Sequence, residues 1–225
     1  MTNQNDSFID EVTEDLRRDR LFKAFRRYGW IGGLVILAIV GGAAWREYTV
    51  ARATKAAQGW GDAVLAAERG ADPAAGFAAL DAQGSAGRAA LGNLLTAGAQ
   101  LDADAQAQAV AALDQAAQAA GGDAVLADLA RLKSVIVQGS AMDLAQRDAI
   151  LTDLSRPGAP FELLALEQKA VALIGAGRDD DAAVLIRQIQ ARDGLTQNLR
   201  VRLAQMMLTL GESAEADGAE PAAAQ

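Results

Sequence analysis

Residues 28–45, YGWIGGLVILAIVGGAAW, form an uncharged run of eighteen residues closed by Arg27 and Arg46. A helix of that length rises roughly 27 Å, close to the hydrocarbon thickness of a bilayer. Tyr28 and Trp30 stand at one end, Trp45 and Tyr48 at the other. Amphipathic rings favour the headgroup level, so these four are expected to mark the two ends of one transmembrane helix. Gly29, Gly32, Gly33, Gly41 and Gly42 would weaken a helix in water but are tolerated in lipid, where the backbone has no other partner. The pairs Gly29/Gly33 and Ala38/Gly42 have the small-xxx-small spacing that lets a second membrane helix approach.

The flanks orient this helix. Arg17, Arg18, Arg20, Lys23, Arg26 and Arg27 precede it, and only Arg46, Arg52 and Lys55 follow closely. The excess places residues 1–27 in the cytoplasm and everything past the anchor outside it. A cleaved signal peptide is the competing reading, with Gly41-Gly42-Ala43 as the small-residue site. A 27-residue leader with six acids is unlike a short basic n-region, and favours an uncleaved anchor.

Before the anchor, Ser7 followed by Asp10 and Glu11 has the form of a helix start. Acids come early and bases late, as a helix dipole prefers. Phe8, Val12 and Leu16, then Leu21, Phe22 and Phe25, give an amphipathic helix expected either to lie on the bilayer surface or to dock a partner.

Charge and composition narrow the chemistry. Residues 1–27 are neutral, so the whole net charge of −8 lies past the anchor. An acidic domain without a basic patch argues against nucleic acid and against broad adhesion to anionic lipid. Without Cys or His there is no thiol nucleophile, disulfide, imidazole base or common zinc ligand. Phosphate-loop and nucleophile-elbow motifs are also missing. No catalytic, cofactor-binding or metal-ligating residue is assigned, and no small-molecule substrate is expected. A hydrolase relying on carboxylates alone is the enzymatic rival, and a self-assembling structural scaffold the other.

Past Trp45 the apolar residues recur at helical spacing and never alternate as in strands. Helices are expected over 48–69, 74–83, 86–101, 104–120, 123–138, 143–154, 161–176, 179–192 and 195–210. Their breaks are Gly70 with Asp72-Pro73, Gly84, Gly121-Gly122, Gly139, Pro157-Gly158, Gly177, Gly194 and Gly211. Linkers of a few residues make consecutive helices antiparallel neighbours. Residues 212–225, ESAEADGAEPAAAQ, are acidic and nearly free of large apolar groups, and are expected to be disordered.

The segment from Leu166 to Gly194 fits the frame of a tetratricopeptide repeat. Leu166 and Ala170 pack the first helix, Leu173 takes the large position, Gly177 the turn, and Ala182 and Ile186 the second helix. Ala130 begins a similar unit 40 residues earlier, and Leu91-Gly92 marks a third. Within this pattern Asp179, Asp180 and Asp181 are read as a helix start rather than a cation site. Met206-Met207 is read as core rather than an adaptable binding surface, and Trp60 as a knob between helices rather than a partner anchor.

The aromatic-flanked anchor running into Trp45-Arg46-Glu47-Tyr48, the segments RAALGNLL and VLADLARLKSVIVQG, and the closing NLRVRLAQMMLTLG together resemble a known family. They are similar to the bacterial ancillary subunits of the SecYEG translocon, the YfgM type. The resemblance covers residues from about 8 to 211 and implies an all-α chain: a cytoplasmic stub with an amphipathic helix over 1–27, a transmembrane helix over 28–45, and a periplasmic tetratricopeptide-like solenoid of helical hairpins over 46–211, which the acidic tail over 212–225 follows. It implies residence in the bacterial inner membrane and protein partners: the translocon, periplasmic chaperones and exported clients. The alternative is a periplasmic tetratricopeptide coordinator of cell division or envelope growth with a cleaved signal peptide. The longer charged stub and the acidic tail depart from the shorter family pattern.

Overall fold

The computed structural model describes the backbone of residues 3–211 and the side chains of residues 26–211. The acidic tail, and the side chains of Phe8 to Phe25 expected to form the amphipathic face, lie outside the described residues. The described chain is helical, with no strand among the described residues. It divides between Gly59 and Trp60 into two units.

The first unit is a single helix, α1, whose full extent is Asn3–Glu68. The sequence suggests a surface helix, an anchor and a third helix from Tyr48, but α1 runs through all three. Ser7, read as a helix start, lies inside it. The reason is local: no proline or turn sequence interrupts residues 7–68, and the segments differ only in composition. Glycine in a helix interior costs about 1 kcal/mol relative to Ala, which weakens a helix without ending it. The boundary at residue 46 therefore falls within α1. From Arg26 to Gly59 every side chain is exposed except Ala56, which is half-buried. This part contains an unburied 18-residue window of mean hydropathy 1.7, so the helix is long and apolar enough to cross a membrane.

The second unit holds the end of α1 and eight further helices among the described residues. These are α2 (Pro73–Ala78), α3 (Ala86–Asp102), α4 (Gln106–Ala119), α5 (Ala124–Gln138), α6 (Leu144–Leu154), α7 (Glu162–Gly175), α8 (Asp179–Gln190) and α9 (Gln197–Thr209). A 3₁₀ turn, Gly139–Ala141, follows α5. The starts have a shared cause. Asp72, Ser85, Asp123, Asp143 and Thr196 each accept a hydrogen bond from a first-turn backbone N–H that the helix itself leaves unpaired.

The stops are equally local. After α7, Gly177 takes the left-handed conformation (φ 68°), and the Arg178 N–H donates to the Leu173 carbonyl at 2.9 Å, a Schellman closure. Asp104 (φ 57°) closes α3 in the same way, with the Ala105 N–H donating to the Gln100 carbonyl at 2.8 Å. It thus ends one helix and does not open α4 as its acidic type suggests. α2 stops at Ala78 and does not continue to Gln83. The Asp81 carboxylate accepts from the Gln83 N–H at 2.8 Å, and this short-range bond competes with helix continuation.

Each helix packs on the next along the chain, and α3 also touches α5. The buried apolar residues fall into successive groups. Leu94, Ala97, Ala109, Ala112, Leu113, Ala116 and Ala130 join α3, α4 and α5. Leu132, Val135, Met142, Leu151, Leu154 and Ala165 join α5, α6 and α7. Ala170, Ala183, Ile186, Ile189, Leu195, Leu199, Leu203 and Met207 join α7, α8 and α9. Ala90, Ala130 and Ala170, spaced by 40 residues, have no accessible surface at all. A methyl is all that fits where those helices meet a neighbour.

Two turn glycines separate backbone freedom from space. Gly121 (φ 59°) and Gly177 (φ 68°) are both left-handed, but a Cβ at Gly121 would lie 2.6 Å from the Ala86 Cβ, and at Gly177 would meet open space. Left-handed backbone costs an L-residue about 1–2 kcal/mol. Gly177→Ala is expected to destabilise by about that amount and Gly121→Ala by clearly more. Urea unfolding followed by circular dichroism distinguishes the two, and equal losses would refute the close approach at Ala86.

Candidate interaction surface

The sites expected from sequence fall into two groups. Tyr28, Trp30, Trp45 and Tyr48 are all more than half exposed. The Trp30 indole N–H donates to the Arg27 carbonyl at 3.1 Å, the Arg27 guanidinium lies 5.9 Å from the Tyr28 ring centre, and Trp45 and Tyr48 tilt together at 6.4 Å. Gly29 and Ala38 are exposed, and a Cβ at Gly33 or Gly42 would meet nothing within 4 Å. The helix thus presents its small residues to its surroundings.

Of the repeat positions, Ala170 and Ile186 lie in one core and Leu166 packs against it. Ala182 is fully buried, Leu173 is half-buried, and Gly177 makes the turn. Met207 is buried in this core and Met206 packs on its edge. Asp179, Asp180 and Asp181 form the first turn of α8, where acids complement the helix dipole. Arg178 occupies the cap position and pairs with Asp181 at 2.8 Å, so the acids make no capping hydrogen bond. Among the described residues no cluster of three or more potential ligands could hold a metal ion. Trp60 is half-buried, and its indole nitrogen is shielded from solvent without a hydrogen-bond partner.

Polar contacts tie the helices into register. Gln106 of α4 donates to the Val137 carbonyl at 2.6 Å, Arg131 of α5 bonds Asp153 of α6 at 2.6 Å, and Lys169 of α7 donates to the Thr152 hydroxyl at 2.9 Å. Arg192 pairs with Glu162. Arg202 of α9 grips Glu167 of α7 through two bonds, Nε to Oε1 at 2.5 Å and Nη2 to Oε2 at 2.8 Å. Glu167 is only 4 % exposed, so that fork supplies the hydrogen bonds its carboxylate would otherwise take from water. The bond to Glu167 raises the pKa of Arg202 further and keeps it charged. Sequence reading misses this pair because the partners stand 35 residues apart. The available signal is an acid within the stripe Leu163, Leu166 and Ala170, where an apolar residue would otherwise pack.

Two clefts of about 340 and 330 Å³ meet where both are lined by Leu144, Arg147, Ala172 and Ala176, so they form one groove along α7 between α6 and its neighbours. Val135 and Val171 line one end, Leu173 and Leu185 the other. Leu144 is 68 % exposed, unusual for a leucine beside a concavity. Arg147 and Lys169 bring cations into the wall, and Asp148 also lines it. A further cleft of about 680 Å³ opens where α7 and α9 begin, edged by the Glu162–Arg192 pair and Arg202. Such apolar troughs with charged rims suit an extended chain better than a small enclosed ligand.

Comparison of the chain with protein-family models, curated proteins and solved structures finds no match.

The ion pairs yield two tests. Arg202→Met leaves Glu167 buried and unpaired, which is expected to cost about 1–3 kcal/mol. The double variant Glu167→Leu with Arg202→Met recovers most of that loss, because both polar groups are then gone. Chemical denaturation of the four proteins closes the cycle, and no recovery in the double variant would refute the assignment.

The hydrogen bond from Arg131 holds the Asp153 carboxyl below its ordinary pKa, against the opposing effect of desolvation. The charges of Arg131 and Arg156 add to the depression. A carboxyl depressed on folding contributes stability above its unfolded pKa of 3.8 and loses it as pH falls through the folded value. Asp153 is 38 % exposed, so solvent screens the effect. Asp153→Asn is therefore expected to flatten the acid limb of the stability–pH curve below about pH 4. An unchanged acid limb would assign the limb to other groups.

Proposed function

We propose that this protein is a membrane-anchored protein-interaction scaffold, acting as an ancillary subunit of the SecYEG translocon that links it to periplasmic chaperones and exported clients. The observation that carries the reading is the pairing, in one chain, of a single apolar helix with exposed aromatic ends and a series of short helices built on successive cores. Sequential helix pairs with methyl-sized contacts at Ala90, Ala130 and Ala170 support a tetratricopeptide-like solenoid, in which each pair is stabilised by its neighbours. The groove along α7 supplies a surface for an extended partner. The excess of basic residues before the anchor supports a cytoplasmic N-terminus and a periplasmic helical unit in the bacterial inner membrane. The unbroken helix through Gly41, Gly42 and Ala43 supports an uncleaved anchor, since proteases engage extended chain. Tethering raises the local concentration of the binding surface for any chain emerging at the same membrane site.

The test is site-specific photocrosslinking from positions 28–45 in the membrane. The proposal expects capture of translocon subunits, strongest along one of the two opposite faces that carry Gly29 with Gly33 and Ala38 with Gly42. A protein cleaved near Ala43, capturing nothing in the membrane, would overturn it in favour of the soluble periplasmic coordinator.

A further inference from the structure

The groove along α7 carries cations that the helical unit does not itself neutralise. Arg147 donates to the Gly139 carbonyl at 3.3 Å, and Lys169 donates to the Thr152 hydroxyl. Both acceptors are neutral, and neither cation has a carboxylate within ion-pair distance among the described residues. By contrast Arg131, Arg156, Arg178, Arg192 and Arg202 all have one. Arg69, Arg88, Lys133 and Arg200 likewise make no ion pair among the described residues, but Arg147 and Lys169 are brought together in one trough, which Asp148 also lines without pairing with either, in a unit whose residues 60–211 hold eighteen acids against twelve bases.

The chain has a segment of the opposite charge directly after Gly211. Residues 212–225 contain Glu212, Glu215, Asp217 and Glu220 and no base. They follow Gly211 directly, one residue past Leu210. Leu210 packs against the same core group as Leu185, and Leu185 lines the groove. The tail therefore leaves the fold within a core's width of the groove wall. Extended chain covers about 3.3 Å per residue, so Glu215 reaches roughly 13 Å from Gly211 and Glu220 roughly 30 Å. Alanines between the acids are small enough to follow the trough past Leu144 and Leu173.

We propose that the acidic segment 212–225 docks in the groove between α6, α7 and α8, with its carboxylates on Lys169 and Arg147. The tail is then a built-in competitor for the groove. This rests on reading the groove as a docking surface, and assigns it an occupant from the same chain. Each exposed ion pair is worth about 0.2–1 kcal/mol, too little to hold a free peptide but enough for a tethered one.

The test uses the full chain in detergent micelles and a carbodiimide, which joins amine to carboxylate only when they are in contact. Mass spectrometry should find Lys169 joined to Glu215, Asp217 or Glu220 of the same chain, in preference to Lys133. Arg147→Gln should lower that yield roughly 1.5- to 5-fold, the change expected for one exposed ion pair, with the helical circular dichroism unchanged. No junction at Lys169, equal junctions at Lys169 and Lys133, junctions only between chains, or a yield indifferent to Arg147→Gln would each overturn the proposal. None of these outcomes bears on the membrane capture that tests the scaffold reading, so the two fail separately.

Discussion

Close approach of helices through alanine is the constraint from which the rest of the helical unit follows. Ala90, Ala97, Ala109, Ala116, Ala130, Ala165, Ala170 and Ala182 have no exposed surface, and the largest fully buried side chains are Leu, Ile and Met. Interaxial distance is set by the side chains at the crossing, so methyl contacts draw backbones together. Gly76 takes this further: a Cβ there would lie 2.9 Å from the Ala67 Cβ, so α2 and the end of α1 meet with only the Ala67 methyl between them. The benefit of such packing is dispersion over many close atoms. Its cost is that each contact buries little apolar area. A single helix pair made this way has a thin core, and stability has to come from successive pairs sharing faces. The structure meets that need by passing α5 and α7 from one buried group to the next.

Thin cores leave register weakly specified, because one alanine contact resembles another. The polar contacts supply what methyl groups cannot. A fork such as Arg202 on Glu167 has one geometry, and sliding α9 by a residue would strand a buried carboxylate. The same holds more weakly for Arg131 with Asp153, where solvent shares the charge. These contacts lie between helices adjacent in space and at the ends or edges of the apolar groups. They discriminate among packings that dispersion alone would leave nearly equal.

How much of this was legible in the sequence depends on the range over which each feature is decided. Helix starts and stops in the second unit are decided within a few residues, by a capping oxygen or a left-handed turn. Asp123, Asp143 and Gly177 announce them directly. Ala170, Ala182 and Ile186 were legible because the 3.6-residue period places them on the inner face. The errors came where a local signal had two uses. Asp104 can open a helix or close one, and the backbone around Gln100 decides. A change of composition at Arg27 and Trp45 suggested separate helices, but composition does not break a backbone that lacks proline, and α1 continues. The groove and the pairing of Glu167 could not be read, although the acid itself interrupts an apolar stripe. Both are made by residues on different helices, and no spacing rule joins Leu144 to Leu185 or position 167 to 202.

A shallow, open groove also constrains how it can be used. Its apolar lining is divided among Leu144, Val171, Leu173 and Leu185, with no enclosed pocket for a large anchor residue. Interfaces of that kind lack the buried hot spot that gives high affinity to a free partner. Occupancy then depends on local concentration more than on contact strength. A covalently attached tail has an effective concentration in the millimolar range, so on the proposed docking an outside chain would meet a groove already contested. It prevails only if delivered at a comparable local concentration, or if it adds the large apolar side chains that residues 212–225 lack. On the proposed scaffold reading, the anchor would provide the first condition for a chain emerging beside it. An unfolded segment, with its leucines and aromatics still exposed, provides the second. If the groove serves as proposed, weak contacts of this type would favour chains that are both nearby and unfolded, and would release a chain once its apolar residues are buried in its own fold.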